Sequence, residues 1–281
     1  MSERAWRYAE AIRNGFQLYR ADQPTRVELA TTAPRILLMG VFYVMLGRLL
    51  GGDDGAEFAL SGVVAFAASS ITILGTCDVT LNDQWSGAYH RLQIGALSPG
   101  LVYLCRTLPH AAYGMAASII VLCVDGPLLG LADRTVELLA VLPLYLVISV
   151  TSTMFGLAVA ASAVGSQKEV LFGNLAIYLV LLGSAIVTPL GPGLSWIAAV
   201  GDFIPYTHGL AAVRSAVDGG PWIREILCEM AVGISWMVFA LVLVHYRDRA
   251  LRRAEPIGLA SLNSVVVPFR HSSYGVRRTP R

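Results

Sequence analysis

Six long apolar stretches, separated by short polar segments, constrain the fold of this sequence more than any other feature. A helix that crosses the hydrocarbon core of a bilayer needs about 20 mostly apolar residues. With 55% hydrophobic and 14% charged residues, the 281-residue chain has too little polar surface to cover a soluble domain. The sequence therefore predicts an all-α polytopic membrane protein with six transmembrane helices. The predicted spans are residues 29–50, 58–81, 100–124, 138–164, 170–190 and 226–246.

The positive charges lie mainly on one side of this pattern. Five arginines precede the first span and eight follow the last one, whereas the connection at residues 51–57 contains three carboxylates and no Arg or Lys. Since positively charged segments stay on the cytoplasmic side, both termini are predicted to be cytoplasmic in a multi-pass protein of a bacterial cell membrane. Three regions follow: an interfacial segment at 1–28, a transmembrane domain at 29–246 and a basic tail at 247–281.

A seventh span at residues 194–217 is rejected. It would contain Asp202, Pro205, His208 and Arg214, and it would place the arginine-rich tail outside the cell. Backbone broken by proline and glycine occurs at membrane depth only where protein or a water-filled cavity satisfies its polar groups. The segment is therefore predicted to form a pair of short re-entrant helices on the outer side.

The first 20 residues predict an amphipathic helix. Trp6, Ala9, Ile12, Phe16 and Tyr19 recur at helical spacing, with charged residues between them, until Pro24 ends the pattern. Such a helix lies at the inner membrane interface, where it binds membrane lipids as a surface anchor or serves as a docking element. The pattern is compatible with both roles.

The segment from Asn82 to Pro99 is too polar to cross a membrane and too long for a tight turn. It predicts a short cytoplasmic helix in which Tyr89, Leu92 and Ala96 share one apolar side. That side could pack against the bundle or against a partner protein.

The sequence of this segment resembles the inner loop of type-2 ABC exporter permeases, nearest to the drug and antibiotic exporter branch. The resemblance rests on Asp83, on Gly87-Ala88-Tyr89, on Leu92 and on Ser98-Pro99, which opens the next span. A second similarity is the Pro-aromatic-Thr segment beginning at Pro205, which leads to an Ala-Val-Arg sequence ending at Arg214. Together with the order of spans, the resemblance covers nearly the whole chain.

The resemblance implies that the chain is the permease subunit of an ATP-driven exporter of an amphipathic substrate, such as an antibiotic, a lipid or a lipid-linked glycan. No Gly-rich phosphate-binding loop occurs, so ATP and Mg²⁺ would bind to a separately encoded ATPase subunit and no cofactor to this chain. Two permease copies would form a homodimer. The loop between the second and third spans would be the coupling helix, with the ATPase contacted through Asp83, Trp85, Gly87, Tyr89 and Leu92. Trp and Tyr also occur at membrane interfaces without any partner.

Burying an ionisable side chain within a span costs free energy, and two such side chains lie where they could form a pair. Asp78 and Arg106 lie near the inner ends of consecutive spans, so they are predicted to form an intramembrane ion pair that holds the two helices together. A set of small hydroxyl side chains is predicted either to line a transport pathway or to mediate close helix packing. These residues are Ser69, Thr72, Thr76, Ser149 and Ser152.

Other functions have less support. An ion-coupled secondary transporter or channel would need an ionisable relay through the bundle, and only Asp78, Arg106 and His110 approach one. A membrane enzyme would need a reactive constellation, and neither a zinc signature nor a Gly-x-Ser-x-Gly elbow is present. Nucleic-acid binding is disfavoured because the basic residues flank spans. The four cysteines all fall in apolar spans without metal-type spacing, which predicts buried free thiols and no metal site.

Overall fold

The computed structural model describes residues 3–85, 98–163, 169–189, 193 and 195–254, and all regular secondary structure in these ranges is helical. A π-helical turn, Glu28–Thr32, joins the second and third helices. The predicted coupling residues Gly87, Tyr89 and Leu92 lie outside the described residues, as does the tail beyond 254. The helices are α1 Glu3–Asp22, α2 Thr25–Val27, α3 Ala33–Trp85, α4 Pro99–Leu128, α5 Ala132–Ala140, α6 Leu142–Ala163, α7 Glu169–Gly183, α8 Ser195–Gly201, α9 Thr207–Val217 and α10 Ile223–Ala254.

Four stretches of helix in the described ranges are long and apolar enough to cross a membrane: Thr25–Asp83, Pro99–Leu128, Leu142–Ala163 and Ile223–Arg247. Val170–Gly183 is a shorter apolar helix. The chain divides into two units, Met1–His245 and Tyr246–Arg281, the second of which begins within α10. The prediction of a polytopic helical membrane protein is confirmed at this level.

Helix α3 is interrupted at Gly51 and Gly52, whose backbone is not helical. Gly52 has φ +65° and ψ −148°, a conformation that only glycine adopts readily. We call residues 33–50 the first limb and residues 53–85 the second limb. At 1.5 Å per residue, the limbs are about 27 and 50 Å long.

The two limbs pack against each other as an antiparallel hairpin. A Cβ atom placed on Gly47 would lie 2.5 Å from the carbonyl oxygen of Gly55, and one placed on Gly40 would lie 3.3 Å from Val63. Later residues of the first limb thus face earlier residues of the second. We call the end of the bundle that contains Gly51 and Gly52 the turn end, and the end where α3 stops and α4 begins the loop end.

The second limb is the centre of the core. Most of its side chains between Ala56 and Ala68 are fully buried, and it packs against the first limb, α4, α6 and α7. At its crossing with α4, a Cβ on Gly114 would lie 2.7 Å from the carbonyl oxygen of Ala68. Small residues at helix crossings let backbones approach closely, as is typical of membrane bundles.

Several predicted boundaries differ from the structure. α3 continues to Trp85, beyond the predicted end at 81, and α4 continues to Leu128, beyond 124. The predicted fourth span is divided at Val141, where α5 ends and α6 begins. The region from 194 to 217 contains two short helices, α8 and α9, separated by a turn at Pro205.

The prediction of four buried thiols was wrong for three of them. Cys77 is buried, Cys105 and Cys228 are partly exposed, and Cys123 is exposed. A lipid-facing position and a buried position are equally apolar, so hydrophobicity alone could not separate them.

We predict that Gly55→Ala destabilises the hairpin by about 1–3 kcal/mol, the usual cost of overpacking. A Cβ at this position would lie 2.2 Å from the carbonyl oxygen of Gly47, so the limbs would have to separate. The measurement is the thermal unfolding midpoint of the purified protein in detergent. Gly51→Ala is the matched control, because nothing lies within 4 Å of the added atom. Equal midpoints for the two variants would contradict the close limb contact.

Candidate functional site

A buried ion pair joins the helices on either side of the predicted coupling loop. Arg106 in α4 donates from Nη1 to Asp83 Oδ2 at 2.5 Å and from Nη2 to Oδ1 at 2.9 Å. The side chains of Arg106 and Asp83 are only 11% and 6% exposed. A two-bond Arg–carboxylate pair fixes both distance and orientation. The end of the second limb and the beginning of α4 are therefore clamped together.

The predicted partner of Arg106 was Asp78, and the structure instead shows Asp83 forming this two-bond pair. The reason is that the second limb remains helical past its predicted end, so Asp83 is a helical residue that faces α4. Asp78 is exposed and lies on the wall of the same cavity as Arg106. Asp83 was predicted to contact an ATPase, but its carboxylate is buried and faces Arg106. For Trp85, the structure describes only the position at the end of the helix.

Helix α1 packs on α4 beside this ion pair. A Cβ on Gly15 would lie 2.5 Å from the carbonyl oxygen of Arg106, and the ring of Tyr19 stacks on Tyr113 with centroids 3.6 Å apart. The contacting face includes buried Ala11 and Gly15, whereas Trp6, Ala9 and Phe16 of the predicted apolar stripe are exposed. α1 thus docks through small residues and through two aromatic residues of the stripe, Phe16 and Tyr19, whose rings lie beside that of Tyr113, whereas Trp6 and Ala9 are turned outward.

The hydroxyl of Tyr19 is held in a fixed direction. It donates a hydrogen bond to Glu28 Oε1 at 2.7 Å. Burial, followed by this hydrogen bond and the charge of Glu28, raises the pKa of Tyr19 well above its usual value. The phenol therefore keeps its proton and directs it to Glu28, and its oxygen remains an acceptor.

A cavity of about 790 Å³ lies at the loop end, between α1, the second limb and α4. His110 is 3% exposed, and neither of its ring nitrogens has a hydrogen-bond partner in the described part of the chain. The volume is within the range of small-molecule sites, about 300–1,000 Å³. The lining residues are Leu18, Tyr19, Gln23, Gly75, Asp78, Val79, Leu81, Asn82, Asp83, Arg106 and His110.

The hydroxyl residues predicted to line a pathway are all buried within the protomer. Ser69 Oγ lies 2.8 Å from Ser152 Oγ across the contact between the second limb and α6. Thr72 and Thr76 donate to carbonyl groups of the preceding helical turn. This geometry favours the helix-packing alternative, and a lining role stays a prediction.

At the turn end, Arg214 connects α9 to two other parts of the bundle. It donates from Nε to Ser61 Oγ at 3.1 Å and from Nη2 to the carbonyl oxygens of Phe58 and Ala185, at 3.1 and 3.2 Å. Its guanidinium also lies 3.4 Å from the centroid of the Phe58 ring. Arg214 and Pro205 were the residues predicted for this segment, and in the structure Arg214 ties the segment to the second limb.

Glu229, a fully buried residue of α10, holds the N-terminus of α9. Its carboxylate accepts from the backbone nitrogen of Tyr206 at 2.8 Å, from that of Gly209 at 2.9 Å and from the hydroxyl of Thr151. An anion at a helix N-terminus satisfies backbone N–H groups that have no partner within the helix. Tyr206 itself has φ +112°, a strained conformation that these bonds offset.

Glu229 and Asp125 were not predicted as site residues from the sequence. A carboxylate inside an apolar span was the available signal for Glu229. Asp125 was placed just outside the third span, but α4 continues past it and buries it completely. Its carboxylate lies against Gly40 in the first limb and has no hydrogen-bond partner among the described residues.

Comparison with known proteins identifies the family. A model of the ABC-2 type transporter family matches residues 13–217, more than half of the chain. The chain belongs to the ABC-2 type transporter family. No curated protein and no solved structure matches it.

The proposed resemblance is thus confirmed, and the match extends from α1 to the end of α9. ABC-2 type chains are membrane permeases of ABC transporters, and they normally assemble with an ATPase subunit. A transport subunit of this kind is generally not catalytic itself. The Asp83–Arg106 pair and the Arg214 contacts both lie within the matched region of this ABC-2 type permease.

We predict that Asp83→Asn and Arg106→Gln each destabilise the ABC-2 type permease by about 3–5 kcal/mol, because each leaves one buried charge without its partner. The double variant should lose much less than the sum of the two single losses. The measurement is the free energy of unfolding in a mixed-micelle denaturation series. Strictly additive losses would contradict the pairing. A second double-mutant cycle, with Asp78→Asn and Arg106→Gln, is the matched control. We expect its coupling free energy to be smaller than that of the cycle with Asp83→Asn.

We predict that Glu229→Gln exposes the N-terminus of α9. The amide removes the negative charge and one of the two acceptor oxygens, so a single neutral oxygen must accept from the backbone N–H groups of both Tyr206 and Gly209, which now bond to a carboxylate. Because hydrogen bonds to a charged acceptor are stronger than those to a neutral one, we expect a cost of about 1–3 kcal/mol. The measurement is hydrogen–deuterium exchange in peptides that cover residues 203–212. Glu225→Gln is the matched control, since Glu225 is partly exposed and contacts the His208 side chain at 3.1 Å. Unchanged exchange in Glu229→Gln would refute the capping role.

Proposed function

We propose that this chain is the permease subunit of an ATP-driven exporter of an amphipathic substrate, working as a homodimer with two copies of an ATPase. The main support for the proposal is the Asp83–Arg106 ion pair, which joins the two helices on either side of the predicted coupling loop. Family membership supports a permease, and the Asp83–Arg106 pair explains how a push on the loop would reach the membrane helices.

The two clamped helices also pack against each other beyond the ion pair. Beyond the ion pair, Ser118 in α4 donates to the carbonyl oxygen of Val64 at 2.8 Å, and Gly114 packs against Ala68. The second limb and α4 are thus joined from the ion pair as far as the Val64–Ser118 contact. Force applied to the loop between them would move the two helices together, and α1 would move with α4 through its stacked tyrosines.

The six-span topology is part of the proposal. The first limb, the second limb, α4, α6, α7 and α10 would be the spans, with α7 the shortest. Helices α8 and α9 would then be the outer re-entrant pair. Both termini would be cytoplasmic, and the exposed apolar side chains of α10 would face lipid or the second protomer.

The alternative function, an ion-coupled transporter or channel, is supported by two buried polar groups in α4. His110 and Asp125 both lack hydrogen-bond partners among the described residues, and both are ionisable, as the members of a relay must be. They lie 15 positions apart in α4, about 22 Å along a helix. Such a distance would need intervening groups, and we therefore favour the ATP-driven function.

We predict that the chain co-purifies with an ATPase encoded beside it, and that combined Tyr89→Ala and Leu92→Ala substitutions abolish co-purification. These residues form the apolar side of the predicted coupling helix, where loss of buried side chains weakens an interface most. The measurement is affinity purification of the tagged permease followed by quantification of bound ATPase and of substrate-stimulated ATP hydrolysis. Val136→Ala, an exposed position in α5 at the turn end, is the control and should retain the ATPase.

Two outcomes would reject the proposal. One is the absence of any ATPase from the purified permease. The other is transport in proteoliposomes that continues without ATP and stops when the ion gradient is dissipated, which would establish the alternative.

A further inference from the structure

We propose that a surface groove between the first limb and α7 binds a phospholipid whose headgroup carries an ammonium group. We call this groove the turn-end cleft; it extends from Tyr43 and Tyr178 to Asp54 at the hairpin turn. Such a lipid would be resident and not transported, so the site does not depend on the proposed function.

Two adjoining cavities make up the turn-end cleft. The deeper one, of about 450 Å³, lies between Tyr43 of the first limb and Tyr178 of α7. The other, of about 270 Å³, is lined by residues on both sides of the hairpin turn, among them Asp54. Val187 and Thr188 line both cavities, so the cleft is continuous.

The segment that follows α7 forms one wall of the cleft, and its shape is fixed. Ala185 has φ +48°, in the left-handed region that alanine rarely adopts. Arg214 donates from Nη2 to the carbonyl oxygens of Ala185 and Ile186, at 3.2 and 3.3 Å. A strained backbone persists only where the surrounding structure holds it, so this wall is already formed without a ligand.

The surroundings of the cleft match an acyl chain. Phe42 of the first limb and Leu182 of α7 are exposed beside it, and exposed apolar side chains of a membrane-spanning bundle contact lipid. The eight positions from Tyr43 to Gly51 extend about 12 Å along a helix, close to the depth of one hydrocarbon leaflet, about 15 Å. A lipid chain can therefore enter the cleft from the bilayer and lie along it.

The charge at the end of the cleft selects the headgroup. Asp54 is the charged residue among the described residues that line the cleft, and its side chain is exposed. The neighbouring Asp53 pairs with Arg48, whereas Asp54 has no ion-pair partner in the described part of the chain. An ammonium group offers this carboxylate both a positive charge and N–H donors. The hydroxyl of Thr188 can donate to a phosphate or ester oxygen of the same lipid.

A second copy of the chain matches the cleft less well. In a two-fold symmetric interface the same surface of each subunit meets the other. An interface centred on the cleft would bring two Asp54 carboxylates together, and like charges placed side by side weaken an interface. The described lining residues include no arginine or lysine that could compensate.

The test uses photoreactive lipids on the purified full-length permease in phosphatidylglycerol nanodiscs, without any ATPase. Phosphatidylethanolamine with a diazirine in one acyl chain is compared with its N-acetyl derivative, which has the same phosphate and chains but no ammonium group. Peptide mass spectrometry measures labelling of residues 175–189 relative to residues 227–242 of α10, a reference for general lipid contact. We expect this labelling ratio to be about two- to fivefold higher for phosphatidylethanolamine, the value of a solvent-accessible ion pair.

Variants locate the site. Asp54→Asn should remove the difference between the two lipids. Asp133→Asn removes an exposed carboxylate of α5 outside the cleft and should leave the difference unchanged. Leu182→Trp narrows the cleft and should lower its labelling by both lipids, whereas Leu38→Trp, at an exposed position of the first limb outside the cleft, should not.

Equal labelling ratios for the two lipids would overturn the proposal, and so would an Asp54→Asn protein that keeps the difference. Labelling of α10 without labelling of residues 175–189 would show that a second copy or another segment covers the cleft, which would also overturn it. Asp54 and Leu182 are exposed, so we expect their variants to fold. Because neither an ATPase nor transport is involved, failure of the lipid site and failure of the exporter function are separate results.

Discussion

A charged side chain persists in an apolar bundle only where other elements supply its partners, and this constraint decides how the described helices meet. Arg214 takes its partners from the second limb and from the segment after α7. Glu229 takes its partners from α6 and from the backbone that opens α9. Each of these groups would be too costly to bury if one neighbouring element moved away. The turn end is therefore fixed by polar bonds as well as by packing.

The backbone of the second limb accepts several side-chain hydrogen bonds at the turn end. The carbonyl oxygens of Phe58, Ser61 and Gly62 accept from Arg214, Tyr145 and Tyr206, respectively. Carbonyl groups within a helix can accept a second hydrogen bond without breaking the helix, since each oxygen has two lone pairs. A long apolar helix thus serves as an anchoring surface for irregular segments that could not be placed by hydrophobic packing alone.

Sequence reasoning predicted the helices well and their ends less well, for a physical reason. An apolar run indicates which residues contact lipid or the protein core. It therefore does not show where a helix continues into polar sequence. The second limb reaches Trp85 and α4 reaches Leu128, and these extra turns are what make Asp83 and Asp125 buried helical residues. Conversely, the break at Val141 lies inside a continuous apolar run. The turn at Pro205 was predictable because proline and charge mark it directly.

In the candidate site, too, some features could be predicted from the sequence and others could not. Arg106 and Arg214 were identifiable as charges near or within apolar sequence, but their partners were not, since these depend on register and on helix rotation. The cavity could not be predicted, because three elements distant in sequence form it. The small residues Ala11 and Gly15 that let α1 approach α4 closely lie beside the apolar stripe, so the stripe predicted the aromatic contacts of α1 and not this close approach.

The two ends of the bundle differ in a way that bears on movement. At the turn end, Arg214, Glu229 and Tyr206 connect four elements through short bonds to backbone groups. At the loop end, the Asp83–Arg106 pair lies on the wall of a cavity of about 790 Å³ between α1, the second limb and α4. A cavity leaves room for helices to shift as a clamped unit, whereas a close-packed end does not, so under the proposed coupling a displacement applied at the loop would be taken up beside the cavity. The turn end would act as the pivot and the loop end as the moving arm, so the volume that changes most on coupling would be the cavity itself.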